Sequence, residues 1–585
     1  MVKKAITPIA ALALVVASLL VASESRAADG RHDALAKEIL AATGVKGGFV
    51  AHVGCGDGKL TVALRANDSY SVHGVDRDPS NAGRARDYIR SLKLNGKVSV
   101  DRLRSRRLPY IDNMANLLVS EDLGPVAMGE VMRVLSPNGV AYVKRGDAWE
   151  KTVKPRPEEI DEWTHYLHDP SNNAVAHDSA IGPPRHLQWV GSPRWSRHHD
   201  HMSSTSAMVS ANGRVFYIFD EGPKASIELP PNWLLTARDA FNGTVLWKRP
   251  LGEWHTHLWP LKSGPAQLPR RLVAIGDTVY VTLAIDAPLT ALDAATGETI
   301  RTYEGTQATE EILQSDGVLF LLVNEGGGER WESKASYATV AEVKSDARER
   351  AWDAPARTVM AVQEDSGEIL WRSHSPVSPL TLAADARRVY FHDGGKIVAL
   401  DRTSGEPVWT SEPLGRWEKM ATYFGPTLVV YDGVVLYAGG EGFVPHRGSV
   451  DTMTALSAET GKTLWTAEHP QSGYQSPEDI LVAGGLVWCG STTNGGYSGV
   501  HTGRDPRTGE VKNEFGPDVE THWFHHRCHR AKATDKYLLM SRTGIEFLDI
   551  NENHWTCHHW VRGGCLYGIM PCNGMVYTPA HDCAC

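Results

Sequence analysis

The chain has 585 residues, more than one hydrophobic core usually serves, so at least two domains are expected. A net charge of −9 and a pI near 6.3 leave no basic footprint for nucleic acid. The 18 tryptophans and 55 glycines suit many short strands joined by tight turns.

The first element has a basic start (Lys3, Lys4), an apolar run from Ile6 to Ala22, and small residues Ser25 and Ala27 at cleavage positions. This order is that of a secretory signal peptide over residues 1–27. The run is shorter than the roughly 20 residues a spanning helix needs, and no later stretch is apolar enough to span. A periplasmic or secreted mature protein without a transmembrane segment is expected. Six of the eight cysteines, Cys528, Cys557, Cys565, Cys572, Cys583 and Cys585, crowd together, while Cys55 and Cys489 stand apart. In an exported protein such a cluster reads as disulfides of open pairing.

From Arg31 to about Lys144, helix-like and strand-like segments alternate. HDALAKEILAATG is an amphipathic helix ending at Gly44. GGFVAHVG is a strand entering a glycine loop, KLTVALRAN starts a helix, and SVHGVD is a strand ending on Asp76. VSVDRL and NLLVSED are further strands, and GEVMRVLSPNGVAYVK is a helix, a turn and a strand. Such alternation predicts a parallel, doubly wound sheet over residues 31–150.

This stretch resembles the class I S-adenosylmethionine-dependent methyltransferases. The likeness rests on Gly54, Gly56 and Gly58, on Asp76 at a strand end, and on the turn at Leu135 to Gly139. It implies that the glycines let the backbone approach S-adenosylmethionine and that Asp76 accepts the ribose hydroxyls. The chain departs from the family at His52, where an acidic residue is usual, and in stopping after about five strands. Because the cofactor is a cytoplasmic metabolite, the loop of an exported chain reads first as a retained fold.

Residues 151–182, with Pro155 and Pro157, read as a linker. Over 183–585 one phrase recurs: TARDAFNGTVLW (236–247), TALDAATGETI (290–300), MAVQEDSGEILW (360–371), VALDRTSGEPVW (398–409) and TALSAETGKTLW (454–465). TGRDPRTGEV (502–511) is a weaker copy and EFLDINENHW (546–555) a degenerate one. Alternating apolar residues between copies make strands, the repeat glycine serves a turn, and the tryptophan packs on the neighbouring unit. The phrase resembles that of pyrroloquinoline quinone (PQQ) repeat propellers. An all-β propeller of eight blades is therefore expected, with GIMPCNGMVYTPAHDCAC beginning the last, shortened blade and HLQWVG (186–191) supplying its closing strand. The polar stretch 331–355 reads as an insertion.

Histidines supply the candidate chemistry. Pairs two apart on a strand share a face, so His199/His201 and His255/His257 each offer two imidazoles to one ion. His198 joins the first pair, and His525, His526 and His529 form a third group. His165 and His168 lie just ahead of the repeats. Copper, iron or zinc would suit such ligands. His559, Arg562 and Tyr567 are candidates for acid–base work on a carbohydrate or alcohol. No C-x-x-C-H, P-loop, G-x-S-x-G or H-E-x-x-H is present.

The PQQ-repeat resemblance implies two possible roles. Quinoprotein dehydrogenases hold PQQ on calcium, with an aspartate base and often adjacent cysteines; here Cys583 and Cys585 are the nearest approach. Other such propellers are scaffolds, among them the lipoprotein of outer-membrane barrel assembly. The sequence thus reads as an oxidoreductase using PQQ or a metal in a propeller channel. The alternatives are a non-catalytic envelope scaffold with protein partners and a methyltransferase using S-adenosylmethionine.

Overall fold

The computed structural model describes residues 30–197, 202–226, 228–255, 265–327, 356–415, 425–439, 450–470, 479–491, 493–494, 497–521, 529–540 and 544–580. Two compact units emerge: residues 1–157 with 241–246, and residues 158–240 with 247–585.

The first unit is an α/β sheet of strands β1 (Gly48–Val53), β2 (Tyr70–Asp76), β3 (Val98–Arg102), β4 (Ala115–Ser120), β5 (Leu135–Arg145) and β6 (Ala148–Val153). Their order is β3-β2-β1-β4-β5-β6, parallel except for β6, which runs antiparallel to β5. Alternate residues of one strand serve opposite faces. Val50, Val72 and Leu117 pack on one face with Ile39, Ala82, Ala85 and Ile89. Ala51, Val53, Val75 and Leu118 pack on the other with Val131 and Val134. Helices therefore cover both faces, as the doubly wound reading requires. The helix α1 (Pro79–Ser91) begins where Asp78 caps the Ser80 N–H at 2.8 Å, with proline in the first turn.

Among its described residues the second unit has six antiparallel sheets of four strands, one of five in which Val175–Ala176 runs parallel to Lys532–Thr534, and a hairpin of Met570–Cys572 with Met575–Tyr577. A further strand pair joins Thr493–Asn494 to Tyr497–Ser498. The core lies between successive sheets, again through period two. Leu319 and Leu321 face the preceding sheet with Tyr280 and Leu289, while Phe320 and Leu322 face the following one with Val389 and Phe391.

The repeat phrase is explained by its contacts. In four turns an aspartate (Asp293, Asp401, Asp505 and Asp549) accepts backbone N–H groups two and three residues ahead, as Asp293 does from Ala295 and Thr296. The glycine that follows is left-handed, φ 74° at both Gly297 and Gly405. Each tryptophan lies over the glycine of the next copy. A methyl at Gly297 would meet the Trp247 ring at 2.7 Å, and one at Gly405 would meet Trp371 at 2.5 Å. The indole N–H groups of Trp247, Trp371, Trp409 and Trp465 donate to carbonyls of the next turn at 2.9–3.0 Å. Tryptophan and glycine are thus two halves of one joint between sheets.

Two expectations change. Residues 186–191 form no strand, because no backbone hydrogen bond joins them to the hairpin among the described residues. The stretch read as a linker is divided: β6 reaches Val153 in the first unit, and residues 158–182 belong to the second. The insertion 331–355 lies outside the described residues.

Candidate functional site

In the first unit the loop after β1 turns on three left-handed glycines, Gly54, Gly56 and Gly58, with φ of 75°, 56° and 84°. Gly58 is required by packing too, since a methyl there would lie 2.7 Å from Ala85 Cβ. Over Gly56 the space is open, with no atom within 4 Å of an added Cβ. Gly56 N–H donates to Asp76 Oδ2 at 2.8 Å, while Asp76 Oδ1 accepts from Asp78 N–H at 2.9 Å and from the Asn81 amide at 3.2 Å. Each carboxylate oxygen can accept two hydrogen bonds, so Oδ2 retains capacity beside the open side of the loop.

Two buried groups support the loop. Cys55 is a buried thiol, pushed up to about 12 by burial and by the Asp76 charge. His52 Nδ1 lies 2.8 Å from Thr61 Oγ1, and Nε2 has no partner among the described residues. Burial lowers His52 to about 4, so at neutral pH it is an uncharged imidazole where the family has an acid.

In the second unit the site is an axis. Residues 161–176 bond to the first strand of all seven larger sheets and to the hairpin. Trp163 exchanges backbone bonds with Ser210, and Thr164 O accepts from Ala274. His165 Nε2 accepts from Gln314 N–H at 3.0 Å. Pro170 O, Ser171 O and Ala174 O accept from Ala384, Val430 and Ala533. The Asn173 side chain takes the Val482 N–H and returns a bond to its carbonyl, and Asp161 O accepts from Asn573. Asn172, left-handed at φ 65°, donates to both Leu382 O and Leu428 O at 3.0 Å.

Beside this segment sits a buried charge cluster. Lys532 Nζ donates to Tyr166 O at 3.1 Å and lies 4.4, 5.2 and 5.3 Å from the ring centres of Tyr166, Tyr567 and Trp163. Burial, then the Arg530 and Arg270 charges, bring Lys532 down to about 7. Arg270 lies 3.6 Å from Glu311 and donates to Leu380 O and Leu382 O. Arg530 donates to Gly425 O and Pro426 O, and Asp479 takes the Ala531 N–H. His168 Nε2 is 2.8 Å from Asp161 and Nδ1 is 3.4 Å from Asp169; burial opposes its charge, but the two carboxylates push it up to about 9. His165 is lowered to about 3 by burial.

The sequence candidates fare unevenly. Gly54, Gly56, Gly58 and Asp76 form one loop. His198, His199, His201, His257, His525 and His526 lie outside the described residues. Arg197, just before the histidine run, is buried and donates to Asp220 at 2.7 Å. His255 is buried and lowered to about 3 by burial and Arg271; its carbonyl accepts the Trp233 indole proton. His529 is buried with Nδ1 2.9 Å from Arg530 O, and its ring lies over Gly568. No group of three His, Cys, Asp or Glu side chains placed to hold a metal occurs among the described residues. His559 is exposed, Arg562 half-buried, and Tyr567 wholly buried with its hydroxyl donated to Met208 O at 2.5 Å. Lys532, Arg270, Arg530 and Asn172 were not singled out, since no motif marks them; the clue available was a charged residue alternating with small ones in RAKAT.

Together these features define a methyltransferase-type Rossmann domain followed by a multi-sheet β region of the PQQ-repeat propeller type. Residues 50–139 match the family model described as a methyltransferase domain, and residues 355–515 match that described as outer membrane protein assembly factor BamB. BamB of Kangiella koreensis is 50% identical over 56 residues, 9% of this chain and 14% of that protein. An uncharacterised protein of Haemophilus influenzae is 30% identical over 107 residues, 16% of this chain and 43% of that one. The chain thus spans less than half the length of these curated relatives. The BamB structure from Moraxella catarrhalis is 15% identical over 67% of this chain and 92% of that chain, with a TM-score of 0.34. Among the described residues no helix is long and apolar enough to cross a membrane.

Proposed function

We propose that this chain is a binding protein of the cell envelope whose β-rich unit engages protein partners and performs no turnover. The observation that carries this reading is the filled axis. Residues 161–176 bond to the first strands of the seven larger sheets and to the hairpin turn, and the charges beside them are spent on protein carbonyls and carboxylates. The likeness of residues 355–515 to an outer membrane assembly factor supports an envelope setting, and the signal-peptide pattern expected over residues 1–27 agrees with it. Of the eight histidines on which the competing oxidoreductase reading depends, six lie outside the described residues, and His255 and His529 are buried. The test is an electron-acceptor dye assay on the mature chain, loaded with PQQ and calcium or with copper, against a panel of alcohols and sugars. No dye reduction above the protein-free control is expected; substrate-dependent reduction overturns the reading.

A second reading concerns the first unit, where the open space over Gly56 and the remaining capacity of Asp76 suit S-adenosylmethionine. Gly54 and Gly56 would admit the cofactor to the backbone and Asp76 would take a ribose hydroxyl. When bound, the cofactor supplies an electrophilic methyl group. His52, neutral and buried, supports the loop through Thr61. Calorimetric titration with S-adenosylmethionine tests this reading. Saturable heat that Asp76→Ala removes supports it, and absence of heat at millimolar ligand ends it.

A further inference from the structure

Among the described residues six sheets of the second unit have four strands and one has five, but the hairpin has two. Its strands are joined by Asn573 and Gly574, both left-handed at φ 56° and 70°, the signature of a two-residue type I′ turn. Cys572 and Met575 flank that turn and pair, as do Met570 and Tyr577. In such a hairpin the flanking pair exchanges both hydrogen bonds, so alternation turns the N–H and C=O of Val576 away from the first strand. That side is a sheet edge with no strand on it among the described residues.

A cavity of about 830 Å³ runs along the same edge. Met575, Val576, Tyr577 and Thr578 form one side, and Met208, Tyr217 and Phe219 of the first sheet contribute apolar surface. The opposite wall is the strandless segment 182–194, where Leu187 is 58% and Val190 62% exposed. Among the described lining residues Arg185 and Arg194 are cations at the rim, and no aspartate or glutamate lies with them. Arg185 and Arg194 are exposed. An edge without a strand among the described residues, an apolar trough and two exposed arginines at its rim are complementary to one kind of occupant.

We propose that this edge accepts a third strand from a protein partner: an extended segment with alternating apolar side chains and flanking carboxylates. Main-chain bonds to Val576 set its register, alternate side chains fill the trough, and Arg185 and Arg194 meet its acidic ends. The proposal rests on the binding reading above and names the partner's chemistry.

The test uses the full mature chain and a labelled octapeptide of alternating valine and threonine with aspartates at both ends, followed by fluorescence anisotropy. Two further peptides carry methyl groups on every second backbone nitrogen, one in each register. The unmodified peptide is expected to bind with salt-sensitive affinity, and one methylated peptide to bind about tenfold or more weakly, because its edge-facing donors are gone. Val576→Pro, which removes an outward N–H that the hairpin does not use, is expected to weaken binding by a similar factor of about ten. Arg185→Glu with Arg194→Glu is expected to weaken binding and flatten its salt dependence. If Val576→Pro does not fold, the methylated peptides on the parent protein still decide. No binding at about 1 mM peptide overturns the proposal, as does equal binding of all three peptides. Absence of peptide binding without dye reduction removes this site and spares the binding reading; dye reduction with peptide binding does the reverse.

Discussion

The glycine loop of the first unit and the axis of the second are sites built in opposite ways. The loop is local: Gly54, Gly56 and Gly58 set the backbone, and Asp76 closes on it at 2.8 Å from the next strand. The axis is assembled from a long reach of chain, for Asn172 bonds to Leu382 and Leu428 and Lys532 to Tyr166. A local site is written as a motif, because neighbouring residues share its geometry. A distributed site has no motif, because its members meet only when the sheets close on one segment.

This contrast can be broken at the axis first, where the largest effect is expected. Arg270 and Glu311 form a buried pair 3.6 Å apart beside the axis, so Arg270→Ala leaves Glu311 without its cation and should cost about 3–5 kcal/mol. Chemical denaturation would read this as a lower midpoint, and an unchanged midpoint would mean that the charge finds water. Asn172→Ala follows, at roughly 3 kcal/mol, because it takes the side-chain donor from Leu428 O, leaves Leu382 O only Arg270, and places alanine at φ 65°.

In the loop, two glycine substitutions sharpen the comparison. Gly58→Ala combines positive φ with a 2.7 Å clash on Ala85 and should destabilise the first unit by about 2–3 kcal/mol. Gly56→Ala meets open space and should cost only the backbone term of about 1–2 kcal/mol. Equal melting losses would mean that packing against α1 contributes nothing.

Acid and base should act on different residues. His52, His165 and His255 have folded values depressed to about 4, 3 and 3, so the unfolded chain takes up protons first. Their stability is full above pH about 6.5 and drains as pH falls towards those values. His168 has the reverse sign. Raised to about 9, its contribution is complete below pH about 6.5 and is lost as pH rises through 9. Denaturation midpoints across pH should therefore lose an alkaline fall in His168→Gln while keeping the acid one. The smallest effect belongs to the exposed Lys512–Glu510 pair, where Lys512→Ala should leave the melting curve unchanged.

Much of this was legible beforehand. Strand–helix alternation around Gly54 and Asp76 announced the doubly wound sheet. The Asp-x-x-Thr-Gly phrase announced the turns that Asp293 and Asp401 make. The tryptophan that ends each copy was expected to pack on a neighbouring sheet, and Trp371 over Gly405 shows how. Residues 161–176 were misjudged because the two prolines ahead of them and the absence of a long periodic run look like a linker; their order comes from partners in other sheets. HLQWVG was read as a strand from its apolar residues, yet Trp189 instead donates its indole proton to Ala240 O.

Local conformation was therefore set by the letters themselves: left-handed glycines, aspartate turns and alternating strands depend on residues a few positions apart, and backbone sterics act at that range. Tertiary structure alone decided which segment fills the axis, that Lys532 is stripped of water under three rings, and that Met575–Tyr577 carries no further strand among the described residues. Burial and distant hydrogen bonding are properties of the packed chain, and no short stretch of sequence carries them.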